Sequence, residues 1–205
     1  MANANKPMGL SPHSYLNGAK WNGQATVYSL LVGDTTNAYA IGDPVALGGS
    51  GDANGVPNVV LATAGAGNAL LGAVVGLVPS GNVYGGAVGA GGPQFGAVVV
   101  PAGTRTATIY LLVADDPFII YEVQEGGAGT ALATTDLGTN INLLAGTNNG
   151  YASGWLLDNN SKATTSTYQM QLLRLSQKAD NAFGTYAKWL ARVNNHNFKA
   201  GTTGV

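Results

Sequence analysis

Turn-forming residues interrupt this chain so often that its apolar runs stay at strand length. Gly33-Asp34 ends one run, Gly42-Asp43-Pro44 divides the next two, and Asp52, Asn54 and Gly55 supply a loop over 48–55. Glycine, proline and asparagine at these points favour tight turns over helix continuation. Between the turns lie runs rich in Val, Ile, Thr, Tyr and Leu at 25–32, 38–41, 45–47, 59–63, 70–78, 97–100 and 106–114. Such runs, with turns at short intervals, predict strands. Gly72 and Gly76 within one run mark bulges or close backbone approach.

The clearest periodicity lies at 118–124. Ile119, Tyr121 and Val123 alternate there with Glu122 and Gln124, the period-two signature of a half-buried strand. Asp115-Asp116-Pro117 precedes it as a turn, because proline biases the residue before it away from helical backbone. The runs on either side therefore form an expected antiparallel pair. Helical propensity rises only weakly around 131–137. Asn149-Gly150 is a hairpin signal between apolar runs, with strands expected at 151–157 and 167–175. Residues 186–194 fit helix and strand spacing equally, and their neighbours and Gly184 favour strand. The prediction is an all-β chain with a single β-barrel or β-sandwich body over 25–198. An extended N-terminal arm over 1–24, kept from helix by Pro7 and Pro12, and a flexible tail over 199–205 flank it. The stretch 81–96, the richest in glycine, predicts a long loop.

Composition narrows the partners. Charged residues make up 9% of the 205 residues and the net charge is −1, against roughly 25% charged in an average domain. Lys and Arg are scattered, so no basic track is available for a phosphate backbone, and no nucleic-acid partner is expected. The apolar stretch over 56–104 is broken by Gly and Pro, which excludes a continuous membrane-spanning helix; no membrane partner and a soluble protein are expected. Cysteine is absent, so disulfides and thiolate metal sites are excluded. The 31 glycines, with Ala, Thr, Asn and Ser, give a neutral surface suited to close packing in an assembly.

Catalytic patterns are near misses. Leu70 and Gln94 stand where the third glycine of a dinucleotide loop would fall, and Asp52 replaces the last glycine of a nucleophile elbow. Ala53 and Val56 occupy positions that a calcium loop needs for ligands. His13 and His196 are the two histidines, too few for a multi-histidine metal site, and His196 reads as a turn residue. Asp115 and Asp116 are adjacent, so on a strand they face opposite ways and do not converge as a glycosidase pair. A turn, or contact with a basic partner site, is their expected role. Trp21, Trp155 and Trp189 could in principle stack on sugar, but core or interface anchoring is the better reading. No enzyme activity, cofactor or metal is expected.

Several stretches resemble the capsid decoration or cement proteins of tailed bacteriophages. They are Tyr15-Leu16-Asn17-Gly18 with Trp21-Asn22-Gly23, and Ala38-Tyr39-Ala40-Ile41-Gly42-Asp43-Pro44-Val45. Further on come Val113-Ala114-Asp115-Asp116-Pro117, Tyr121-Glu122-Val123-Gln124, and Ala145-Gly146-Thr147-Asn148-Asn149-Gly150. The last are Ala179-Asp180-Asn181-Ala182-Phe183 and Val193-Asn194-Asn195-His196. The resemblance implies a β-barrel or β-sandwich on the virion surface that locks neighbouring subunits of the major capsid protein, often as a homotrimer, without catalysis or cofactor. Tyr15, Leu16 and Trp21 of the arm, with Asp115 and Asp116, are the expected capsid contacts. A tail- or neck-associated virion protein and a carbohydrate-binding β-sandwich are the alternatives.

Overall fold

The structure, a computed structural model, describes residues 3–78, 98–105 and 108–205. The expected 81–96 loop lies outside the described residues. Fourteen strands and one 3-10 turn, Thr134–Asp136, make up the regular structure among the described residues.

Five strands close on themselves. β2 (Thr26–Leu30), β4 (Pro44–Gly51), β5 (Pro57–Leu61), β6 (Gly72–Leu77) and β8 (Ile109–Ala114) pair in the circular order β2-β5-β4-β6-β8. Four seams are antiparallel. The closing seam, β2 against β5, is parallel with one register pair, Ser29 to Asn58. Ser29 reinforces it by donating its hydroxyl to the Val56 carbonyl at 3.1 Å. Alternation sorts the side chains: Ile109, Leu111 and Val113 pack inside the ring with Tyr28, Leu30, Val45, Val59 and Val74. Each such fully buried aliphatic side chain contributes about 1.5–3 kcal/mol. A two-stranded patch, β3 (Tyr39–Ala40) with β7 (Val99–Val100), adds Tyr39 and Val100 to this core.

A second, open sheet runs β1 (Ser11–Tyr15), β9 (Ile119–Gln124), β14 (Lys188–Val193), β13 (Met170–Leu175) and β10 (Asn140–Ile141), all antiparallel. Its core holds Ile119, Tyr121, Val123, Trp189, Ala191, Val193, Met170 and Leu172. A register shift between Leu172 and Arg174 returns Leu175 to the same face, which strict alternation would deny it. β11 (Leu143–Leu144) and β12 (Leu156–Leu157) form a further pair at its side. Ala73 and Ala114 come from ring strands yet join this second core, so the two cores share a wall.

The all-β expectation holds, with strands in several sheets. Residues 188–193 are strand, and Gly76 sits at a bulge. Gly72 meets the expected close approach: a Cβ there would lie 1.9 Å from the Ala114 carbonyl oxygen. Four expectations need correction. β8 and β9 do not pair across Asp115-Asp116-Pro117; β8 pairs with β2 and β6, β9 with β1 and β14. The turn thus carries the chain from ring to sheet. Residues 48–51 belong to β4, leaving a tighter turn in which Asp52 accepts from the Asn54 and Val56 amides. Residues 1–24 are largely extended but not a detached arm where described. Leu10 is fully buried, its amide donates to the Gly42 carbonyl at 2.9 Å, and β1 is a paired strand. The tail over 199–205 is tied down: the Thr202, Gly204 and Val205 amides donate to Asn194 Oδ1, Thr164 O and Gly138 O. The extended terminus satisfies its backbone on the body, as a segment with a buried leucine must.

Asn149-Gly150 lies at the tip of the longer connection between β11 and β12, and Gly150 takes φ +87° there. The two strands are an antiparallel pair as expected, but only 156–157 of the predicted 151–157 run is strand.

Candidate functional site

β1 and β9 end side by side at the junction between ring and sheet. Tyr15 is in register with Ile119, and the Leu16 amide donates to the Phe118 carbonyl at 2.9 Å. That pairing sets two large apolar side chains next to each other at the surface, Leu16 49% and Phe118 47% exposed. With Tyr15, Asn17 and Asp116 they line a shallow concavity of about 410 Å³. Lys199 lies over the Phe118 ring, its Nζ 4.9 Å from the centroid. The patch therefore offers two aromatic rings, an aliphatic side chain, a side-chain amide, one carboxylate and one ammonium group.

The turn fixes these positions. Asp116 Oδ1 accepts from the Phe118 amide at 2.8 Å, and the Ile119 amide donates to the Asp116 carbonyl. Asp115 faces elsewhere, accepting from Thr26 Oγ1 at 3.1 Å and Tyr28 Oη at 2.8 Å. Burial and then the Asp115 hydrogen bond push the Tyr28 phenol far up, so it stays a donor. The Tyr15 phenol is also raised, by burial and then by Asp116.

Of the five expected contact residues, the structure brings Tyr15, Leu16 and Asp116 together. Asp115 is spent on holding β2. Trp21 is half-buried and lines a different concavity with Leu10, Pro12, Ile41 and Val75. Phe118 and Lys199 belong to the patch and were missed from sequence. Phe118 is out of phase with inward Ile119, Tyr121 and Val123, which was the available signal. Lys199 carried no signal, because only the turn after His196 brings it there.

The histidines occupy different settings. His13 Nδ1 lies 3.0 Å from Ser14 Oγ. His196 is buried, and its Nδ1 accepts from the Phe198 amide at 3.0 Å. Burial holds the His196 imidazole below its ordinary value, against a weaker upward pull from nearby carbonyls and from Asp115 and Asp116. Among the described residues no three His, Asp or Glu side chains gather as metal ligands. Trp155 and Trp189 are 3% and 0% exposed, so they are core side chains and cannot stack on a sugar at the surface.

Compared with protein-family models, with curated proteins and with solved structures, the chain has no significant match.

Proposed function

We propose that this chain is a structural protein of a tailed-phage virion, binding the outside of the capsid and cementing the shell. The observation that carries the reading is the junction patch. Tyr15, Leu16 and Asp116, expected from the sequence as contacts, lie with Phe118 in one concavity, where Leu16 and Phe118 are left half exposed. Exposed aromatic and aliphatic anchors beside one or two charges are the usual chemistry of a protein contact. A low-charge surface further favours dense packing of copies, which in this reading form homotrimers on the major capsid protein. A protein that binds only the mature shell stabilises it by its binding free energy. This role needs no turnover and no cofactor.

Two measurements test it. Quantitative mass spectrometry of purified virions should give this chain in simple ratio to the major capsid protein. A handful of copies would move it to the tail or neck, and its absence would discard the virion reading. In capsid co-sedimentation, the double variant Leu16→Asp, Phe118→Asp should lose about tenfold or more in affinity while keeping the wild-type far-UV spectrum. Unchanged co-sedimentation would remove the patch from the contact.

A further inference from the structure

A second surface lies toward the other end of β9. Lys6, Lys178 and Lys188 line one cleft with Glu122 and Gln124 at its floor. Charge is scarce in this chain, with nine Lys and Arg in 205 residues, so three lysines in one cleft are a concentration. The cleft continues into an apolar concavity: Met8 and Ser11 line both, and beyond them stand Leu10, Trp21, Ile41 and Val75.

We propose that cleft and concavity form one groove for an extended acidic segment of a protein partner, placing a carboxylate among the three lysines and an apolar side chain against Trp21 and Met8. The charge balance favours an incoming anion. Glu122 is already satisfied from within, by Lys178 at 2.7 Å and the Ser176 hydroxyl at 2.5 Å. Among the described residues the Lys188 ammonium pairs with Asp180 alone, at 3.5 Å, and that carboxylate is 70% exposed. Lys6 makes no ion pair among the described residues. Three ammonium groups thus face two carboxylates, one of them at the edge. The local field agrees: burial works to raise the Glu122 carboxyl, yet Lys178, Ser176 and Lys188 together hold it below its ordinary range.

The groove is also fixed in shape. Gln124 receives the Lys6 amide at 3.0 Å and donates to the Ala4 carbonyl at 3.1 Å, clamping the N-terminal wall onto β9. A wall already ordered costs little further entropy when a ligand binds. An alternation of acid and apolar side chains along an extended peptide matches the two adjoining compartments, because neighbouring side chains of such a segment point to different sides. This groove is separate from the junction patch, so the inference stands apart from the capsid reading and its failure leaves that reading intact.

The test uses the whole chain and a blocked hexapeptide of alternating glutamate and leucine as probe. Trp21 is half-buried at the groove while Trp155 and Trp189 are enclosed in the core, so a change in tryptophan fluorescence reports occupancy. Saturable binding is expected, weakening as salt rises. The double variant Lys6→Glu, Lys188→Glu should bind about tenfold or more weakly, with an unchanged melting temperature, and Leu16→Asp, Phe118→Asp should bind as wild type. The proposal is overturned by no saturable signal up to about 1 mM peptide, or by equal binding of the peptide with glutamine in place of glutamate. Tighter binding of a single-stranded oligothymidylate would overturn it too, since the groove would then select phosphate rather than a peptide carboxylate.

Discussion

The closed ring and the open sheet hold their polar groups by different chemistry. Around the ring, tyrosine hydroxyls donate to aspartates: Tyr28 to Asp115, Tyr39 to Asp34, and Tyr110 to Asp52. Around the open sheet, neutral amides take over. Gln169 is fully buried; its Oε1 accepts from the Gly65 and Leu143 amides, and its Nε2 donates to the Thr63 and Asn68 carbonyls. Asn194 binds Ser166 O and Tyr168 O through its nitrogen, and the Thr202 amide and hydroxyl through its oxygen. An amide both donates and accepts and carries no charge, so it is the cheaper group to bury whole. A carboxylate only accepts when ionised, and Asp34, Asp52 and Asp115 all lie outside the fully buried set. With charge this scarce, three ion pairs are found among the described residues, and amides bind the loops where other proteins use salt bridges.

The largest effect expected from this contrast is at Gln169. Gln169→Met keeps the length and removes four hydrogen bonds, leaving buried backbone groups unpaired at about 1–3 kcal/mol each. Allowing for partial relaxation, urea denaturation should show a loss of about 3 kcal/mol or more. A loss under about 1 kcal/mol would mean that the amide hub is decoration.

Glu125 is the exception that sharpens the comparison, a fully buried acid in the amide half. Its Oε2 accepts from the Leu132 amide at 2.9 Å, and burial pushes its carboxyl above the ordinary 4.5, against lesser lowering by that amide, Trp189 and others. The folded state then holds its proton more tightly than the unfolded chain, so this group's contribution is fullest at low pH. It declines as pH rises above the unfolded value toward the folded one. Glu125→Gln should flatten that decline relative to wild type. Parallel pH–stability curves for variant and wild type would refute the assignment.

Asp52 on the ring should answer acid in the opposite direction, and more weakly. Burial is the largest single influence on the Asp52 carboxyl and raises it, but the Tyr110 hydroxyl and the Val56 and Asn54 amides together outweigh it and hold the group below its ordinary 3.8. Its contribution is present above the unfolded value and is lost as pH falls through the folded one. Tyr110→Phe should cost about 1 kcal/mol at neutral pH and progressively less in acid, as thermal melts across pH would record. A cost that stays constant with pH would show that the bond does not depend on the ionised carboxylate.

The legible parts of the fold were those set by neighbours in sequence. Alternation at 119–124 put Ile119, Tyr121 and Val123 on one face, and the proline after Asp116 marked the turn. Which strand pairs with which was not legible at that turn. An Asp-Asp-Pro corner serves a hairpin or a passage between sheets equally well, and the choice depends on a distant group, Tyr28 reaching Asp115, as well as on the nearby Tyr121 hydroxyl bonding Ala114 O at 2.7 Å. The amide hubs were hidden for a similar reason. Gln169 and Asn194 fall in segments expected as strand, but nothing local marks their amides as buried until the backbone of segments far off in sequence closes around them. At the candidate site Leu16 could be named as a large apolar side chain in a polar arm and Asp116 as part of a turn, whereas the lysine cleft joins residues 6, 178 and 188, which no local pattern relates.

The order of the open sheet has a consequence for when the protein can fold. β9 lies between β1, made early, and β14, which ends at Val193. On the ribosome, at about 5–20 residues per second, the apolar strand Ile119–Gln124 waits several seconds for the chain that will cover its second edge. Through that interval it is an open template for pairing with another nascent chain. Fast release and a low density of translating copies would therefore govern yield as much as the stability of the finished molecule.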